Sequence, residues 1–198
     1  MNDEVFVFDD IINLSYQLQI EDILLGERLF NNEDFPWYFI PDITYNDGLA
    51  NQGRCGFAHY FADEDDGIIS EFHPLFLKLI HNSCKKINLK KIDVIQARSF
   101  LQLPSNIPHE EVDDPHIDLI DTDHFVMLYY VCDSDGDTII YNETEKSESY
   151  TIKKKIKPKR GRVVLFDGRL YHTAEQPNNH KRCIVNYDLV NLSVDSHI

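Results

Sequence analysis

Phe125-Val126-Met127-Leu128-Tyr129-Tyr130-Val131-Cys132, then Asp133-Ser134-Asp135-Gly136, then Thr138-Ile139-Ile140-Tyr141, is the stretch that decides the fold class. Both apolar runs are rich in β-branched and aromatic residues and too short for free-standing helices, and the Asp/Ser/Gly cluster between them is turn chemistry. The expectation is two strands joined as a hairpin. Upstream, Ile92 to Leu103 is one extended run, and Pro104 to Pro115 reads as a loop. Downstream, Ser149 to Ile152, Arg162 to Asp167, Leu170 to Ala174 and Arg182 to Asp188 are further strands, separated by Gly161, Gly168 and Pro177-Asn178-Asn179. Many short strands punctuated by turn residues predict two packed antiparallel sheets, a jelly roll.

Before residue 91 the pattern changes. Val5-Phe6-Val7-Phe8 is a short strand, and Tyr16, Ile20, Ile23 and Leu24 then recur at helical spacing up to Gly26. Leu75, Phe76, Leu79 and Ile80 form a second helical stripe, expected to lie against a sheet. His73 and His81, near the ends of that helix, are expected in solvent or as caps. Phe35-Pro36-Trp37-Tyr38-Phe39 is read as core packing in preference to a substrate platform. Residues 42–66 read as connections around the short run Gly56 to Phe61. The fold expected is a single mainly β domain with N-terminal helices (α+β) over residues 1–198, divided into a helical support region, 1–90, and a β core, 91–190.

Composition narrows the function classes. The hydrophobic share of 42% fits an ordinary globule, and no apolar run approaches the length of a membrane span. The formal net charge of −15 repels phosphate backbones and argues against nucleic acid as a partner. Lys153 to Arg160 concentrates positive charge, and a solvated strand face or turn is the reading preferred to a nucleic-acid patch. Cys55, Cys84, Cys132 and Cys183 form no Cys-x-x-Cys pair, so free thiols are expected. The start, Met1-Asn2-Asp3-Glu4, lacks the basic opening of a secretory signal, and a cytoplasmic location is the expectation.

Chemistry concentrates at His116-Ile117-Asp118. In extended chain, residues two apart face the same way, so an imidazole and a carboxylate can converge on one metal ion. His109-Glu110-Glu111 offers the same spacing but sits among Pro and acidic residues, whereas Asp118 leads into the Phe125 strand. Tyr171-His172-Thr173 supplies a second imidazole. Two histidines and one carboxylate leave half of an octahedral ion's positions open, as in non-haem Fe(II) sites. Arg182, always charged and fork-shaped, suits a dicarboxylate beside such an ion, and Asn186 shares its strand face.

From Gln96 onward the chain resembles the 2-oxoglutarate/Fe(II)-dependent dioxygenases of the prolyl-hydroxylase-like group and small phage-type oxygenase domains. The residues that carry the resemblance are His116-Ile117-Asp118, Leu128-Tyr129-Tyr130, Asp135-Gly136-Asp137-Thr138, Gly161 to Asp167, His172 and Arg182. It implies a double-stranded β-helix core (jelly-roll, cupin-like), Fe(II) held by His116, Asp118 and His172, and 2-oxoglutarate held at its distal carboxylate by Arg182. It further implies that Tyr130 and Thr138 line the co-substrate pocket and that Arg98 faces co-substrate or substrate. The reaction implied consumes dioxygen and converts 2-oxoglutarate to succinate and carbon dioxide while an unactivated C–H is hydroxylated. A phage-type protein of this kind would act in the host cytoplasm.

Animal and plant prolyl 4-hydroxylases usually carry lysine where Arg182 stands, and many relatives have paired glycines where Asp135-Gly136-Asp137 stands. Both departures bear on the substrate. A protein or peptide residue such as proline is the first expectation, because the acidic stretch Glu110-Glu111-Val112-Asp113-Asp114 would attract a basic segment. The alternatives are a free amino acid or small metabolite, or a cupin-like metal- or ligand-binding protein without turnover.

Overall fold

Along the Phe125 run, Val126, Leu128 and Tyr130 face one way and Met127, Tyr129 and Val131 the other, and all six are buried. A strand covered on both faces needs apolar residues at every position, which is why this run shows no alternation. The computed structural model describes residues 4–41, 43, 55–104 and 113–192. Its first elements are β1 (Phe6–Phe8), α1 (Leu14–Leu25), β2 (Tyr38–Ile40), β3 (Gly56–Asp63) and β4 (Gly67–Ile68). A one-turn helix, His73–Phe76, runs into α2 (Leu77–Lys86), and β5 (Ile92–Gln102) follows. Then come β6 (Phe125–Tyr130), β7 (Thr138–Tyr141), β8 (Ile152–Ile156), β9 (Val163–Asp167), β10 (His172–Ala174) and β11 (Arg182–Asn191).

All pairings are antiparallel. The large sheet runs β1-β9-β6-β11-β5-β3-β2 with β4 beside β3, and the small sheet runs β10-β7-β8. Two cores result, one on each face of the large sheet. On the helical face, Ile20, Ile23 and Leu24 of α1 and Leu79 and Ile80 of α2 meet Met127, Tyr129, Leu165, Val185 and Tyr187. Between the sheets, Val126, Leu128, Val164, Phe166 and Ile184 meet Ile140, Ile156 and Leu170. The mainly β, two-sheet architecture with N-terminal helices is the one expected. Among the described residues, no helix is long and apolar enough to cross a membrane.

Several local expectations need correction. The Asp133 to Gly136 turn is not a hairpin, because β6 pairs β9 and β11 while β7 pairs β10 and β8. The turn carries the chain from one sheet to the other, and the Asp135 carboxylate pins it by accepting from the main-chain N–H of Asn178, Asn179 and His180. Residues 1–90 supply more than helical support, since β1, β2, β3 and β4 all join the large sheet. The strand expected over Ser149 to Ile152 begins only at Ile152 and takes in Lys153 to Lys155, whose flank of the small sheet is largely solvated. His73 is neither exposed nor a cap: it is buried, with its Nδ1 3.1 Å from the Tyr187 hydroxyl. His81 is exposed, as expected. The Phe35 cluster packs as a core, its ring in contact with Trp37, His59, Phe61 and Phe72, although Tyr38 and Phe39 at its end are exposed.

Phe61 of β3 sits between the one-turn helix and β11, its ring stacked on Tyr187 and edge-on to His59 and Phe76. Phe61→Ala is expected to cost about 3–5 kcal/mol, read as a lower denaturant midpoint with an unchanged slope.

Candidate metal centre

The backbone joins His116 to His172 before their side chains meet. His116 N–H donates to His172 O at 3.0 Å and His172 N–H donates to His116 O at 2.9 Å, forming a one-residue antiparallel bridge. Directly opposed residues of an antiparallel pair project to the same side, and the two ring centroids lie 4.6 Å apart. Each Nδ1 is 3.2 Å from a main-chain carbonyl, Asp114 O for His116 and Leu170 O for His172. A carbonyl only accepts, so in each neutral ring Nδ1 carries the proton and Nε2 keeps a free lone pair.

Asp118 completes the set by a different route. It lies in the bend after the bridge and not on a strand, so the alternate-residue argument for its direction does not hold. Its carboxylate is placed by donors from the large sheet: Arg98 Nη2 to Oδ1 at 2.9 Å and Asn186 Nδ2 to Oδ2 at 3.0 Å. Oδ2 stands 3.4 Å from His172 Nε2. One ligand atom from each of His116, Asp118 and His172 lies within 4.8 Å of the others. Two imidazole nitrogens with fixed tautomers and one ionised oxygen suit a divalent transition metal.

The electrostatics favour the ligating forms. Burial, followed by the neighbouring His172, pushes the His116 imidazole down to about 4. Burial alone would raise Asp118, but its hydrogen bond and charge interaction with His172, and then Arg98, hold it well below the usual carboxylate range. Behind this group Asp188 is 1% exposed, and among the described residues neither of its oxygens has a hydrogen-bond partner; it lies 3.9 Å from Arg98 Nη2 and 3.8 Å from His124 Nε2. Burial and the adjacent Asp118 raise Asp188 well above the ordinary range.

Arg182 lies at the other end of the same cavity, of about 310 Å³. It is 3% exposed, yet its hydrogen-bond partners among the described residues are all neutral: Gly136 O at 3.0 Å, Gln102 Oε1 at 2.8 Å and Thr138 Oγ1 at 2.8 Å. Each terminal nitrogen keeps one further N–H. Thr138 Oγ1 also accepts from the Tyr130 hydroxyl at 2.7 Å, so its own proton remains to be donated. Tyr130 is therefore one bond back from the position expected of it, fully buried behind Thr138. Gly136 is required for this packing, because a Cβ there would stand 2.5 Å from Glu175 O and 3.2 Å from Arg182 Cδ.

No protein-family model matches the sequence, and no curated protein sequence matches it. Solved structures do match in shape. A 2OG-Fe(II) oxygenase family oxidoreductase from Burkholderia pseudomallei superposes with a TM-score of 0.66 at 10% identity, over 94% of this chain and 85% of that one. The Trichoplax adhaerens prolyl hydroxylase, in complex with a hypoxia inducible factor peptide fragment, gives 0.58 at 13% identity, over 94% and 84%. HygX from Streptomyces hygroscopicus, with nickel, 2-oxoglutarate and hygromycin B bound, gives 0.56 at 10% identity, over 96% and 83%. This is the 2OG-Fe(II) oxygenase fold.

Within that oxygenase fold, the chain brings His116, Asp118, His172, Arg182, Thr138, Asn186 and Arg98 to one cavity. Arg98 and Asn186, expected to face the co-substrate, line the cavity and each donate to Asp118, Arg98 through Nη2 alone. Gln102, His124 and Asp188 were not singled out by the sequence, since their relevance depends on cross-strand register, such as Arg182 opposite Gln102. The rival His109-Glu110-Glu111 and most of the acidic stretch, Glu110 to Val112, lie outside the described residues. Asp113 of that stretch is buried, its carboxylate accepting from Gln176 Nε2.

The folded His116 refuses a proton that the unfolded chain accepts between pH 6.5 and about 4, so metal-free stability rises with pH across that window. The melting temperature is expected to fall on acidification through it, and His116→Gln is expected to flatten that slope.

Proposed function

We propose that this chain is a 2-oxoglutarate-dependent Fe(II) dioxygenase that hydroxylates a residue presented by a protein or peptide, proline being the first candidate. The observation that carries the reading is Arg182, a buried guanidinium whose hydrogen-bond partners among the described residues are all neutral, in one cavity with a His/Asp/His metal set. A buried charge that no carboxylate hydrogen-bonds is costly to hold. A diacid in this cavity removes that penalty at one end and reaches a metal at the other.

His116, Asp118 and His172 would hold the Fe(II), which with 2-oxoglutarate and dioxygen supplies the oxidising power for C–H hydroxylation while succinate and carbon dioxide leave. The protein's part is placement. Arg182 offers its two remaining N–H groups to the distal carboxylate as a charge-assisted pair. Thr138 adds its hydroxyl proton, and Tyr130 and Gln102 act through Thr138 and Arg182 by holding them in register. Leu128 and Ile184 give the cavity apolar walls that exclude water around the diacid. No side chain is needed as a general base, and with each Nδ1 turned to a main-chain carbonyl the Nε2 atoms of His116 and His172 are left to face the metal.

A peptide substrate is supported by the peptide-bound Trichoplax structure that shares the fold and by the acidic character of the chain. HygX, which binds hygromycin B on the same fold, favours the second reading, a small-molecule substrate.

Anaerobic addition of Fe(II) and 2-oxoglutarate is expected to produce a visible charge-transfer band, and His172→Ala to abolish it. Wild-type protein without the band would leave a non-turnover binding protein as the better description. Arg182→Met is expected to weaken 2-oxoglutarate at least about 30-fold, the lower end of the 2–5 kcal/mol seen when one partner of a buried charge pair is removed. Succinate release across peptide and metabolite panels separates the two substrate classes.

A further inference from the structure

Asp118 is the one metal-set residue that no backbone pairing holds. His116 and His172 are fixed by their bridge, while Asp118 follows in a bend. Its carboxylate is nonetheless held at both oxygens, and the two donors are neighbours. Arg98 on β5 and Asn186 on β11 are directly opposed in the antiparallel ladder, so they emerge side by side from the large sheet. Arg98 reaches Oδ1 at 2.9 Å, and Asn186 reaches Oδ2 at 3.0 Å. Oδ2 is the oxygen on the His172 side. Having two lone-pair directions, it keeps one after Asn186 has taken the other. Oδ1 is turned toward the guanidinium. Arg98 is steadied in turn, with its guanidinium 5.5 Å over the Phe100 ring and Nη2 3.9 Å from the buried Asp188.

We infer that Arg98 and Asn186 are a cross-strand pair of positioning residues that makes Asp118 a one-oxygen ligand, aiming Oδ2 at the metal while Oδ1 is held away from it. The inference rests on the metal set proposed above and concerns how that set is oriented. A bidentate carboxylate would fill a position that the 2-oxo acid or dioxygen needs, so holding back Oδ1 keeps the open half of the coordination sphere open. Arg98 is the stronger member because its hydrogen bond is charge-assisted at both ends.

Cobalt(II) is a suitable probe, since its visible spectrum reports coordination number and its affinity is measured by competition with a chelating dye. Wild type, Arg98→Gln, Arg98→Lys and Asn186→Ala are compared without turnover, each with a thermal melt. Arg98→Gln is expected to bind cobalt about 10–100-fold more weakly, the usual loss when a partner of a metal ligand is removed, and to show a spectrum of changed intensity. Arg98→Lys is expected to recover part of the affinity, and Asn186→Ala to lose less than Arg98→Gln. Should Arg98→Gln fail to fold, Arg98→Lys decides: weakened affinity with an altered spectrum supports the inference, and wild-type values overturn it. A lowered melting temperature with wild-type affinity and spectrum in the folded Arg98 variants would mean a merely structural role and also overturns it. Wild-type protein that takes up no cobalt would instead defeat the metal set itself, and with it the proposed function.

Discussion

Two main-chain hydrogen bonds between residues 116 and 172 are the constraint on which the rest of the site depends. They tie the segment entering the cavity from one direction to the strand leaving it from the other. Because the pairing is antiparallel and direct, the side chains must share a face. The two imidazoles therefore converge by geometry of the chain and not by an attraction of their own. The small sheet holds His172, which carries His116 by this bridge, and Thr138, while Arg98, Gln102, Arg182 and Asn186 all stand on β5 and β11 of the large sheet. The cavity is the gap between the bridged imidazoles and this polar face of the large sheet.

The site departs from the rules that govern the remainder of the interior. Elsewhere, buried strands present Val, Leu, Phe and Tyr on both faces; here one face of β11 reads Arg182, Ile184, Asn186 and Asp188. Among the described residues, the Arg182 guanidinium is hydrogen-bonded by neutral groups alone and the Asp188 carboxyl receives no hydrogen bond. Such departures concentrate where structure serves binding, and they are tolerated because the helical core beneath, around Phe61, Phe76 and Tyr187, is packed mainly from apolar and aromatic side chains, with His59 and His73 at its margin.

How much of this was legible beforehand follows from the range of the interactions. The strands of the β core were readable because burial on both faces leaves a continuous apolar run, and the His-x-Asp, His and Arg order survives as a pattern along the chain. The Asp133 to Gly136 turn was misread because turn chemistry announces a reversal without saying which sheet receives the next strand. His73 was misplaced because its partner, Tyr187, lies 114 residues away. Asp118 was assigned its direction from strand periodicity, whereas two residues facing each other across β5 and β11 set it. Cross-strand neighbours carry no signature in a single sequence.

The strand order has a consequence for biosynthesis. β11, the last strand among the described residues, is inserted between β5 and β6 and pairs with both along most of their length. While a ribosome is still producing residues 182–191, β5 and β6 each present an open row of amide and carbonyl groups, and the helical core waits for Val185 and Tyr187. Until that strand is made, the two central edges are available to any passing strand, a state prone to mispairing and suited to chaperone capture. Arg182 and Asn186 arrive with that closing strand, so the polar wall of the cavity and the completed sheet form in a single event.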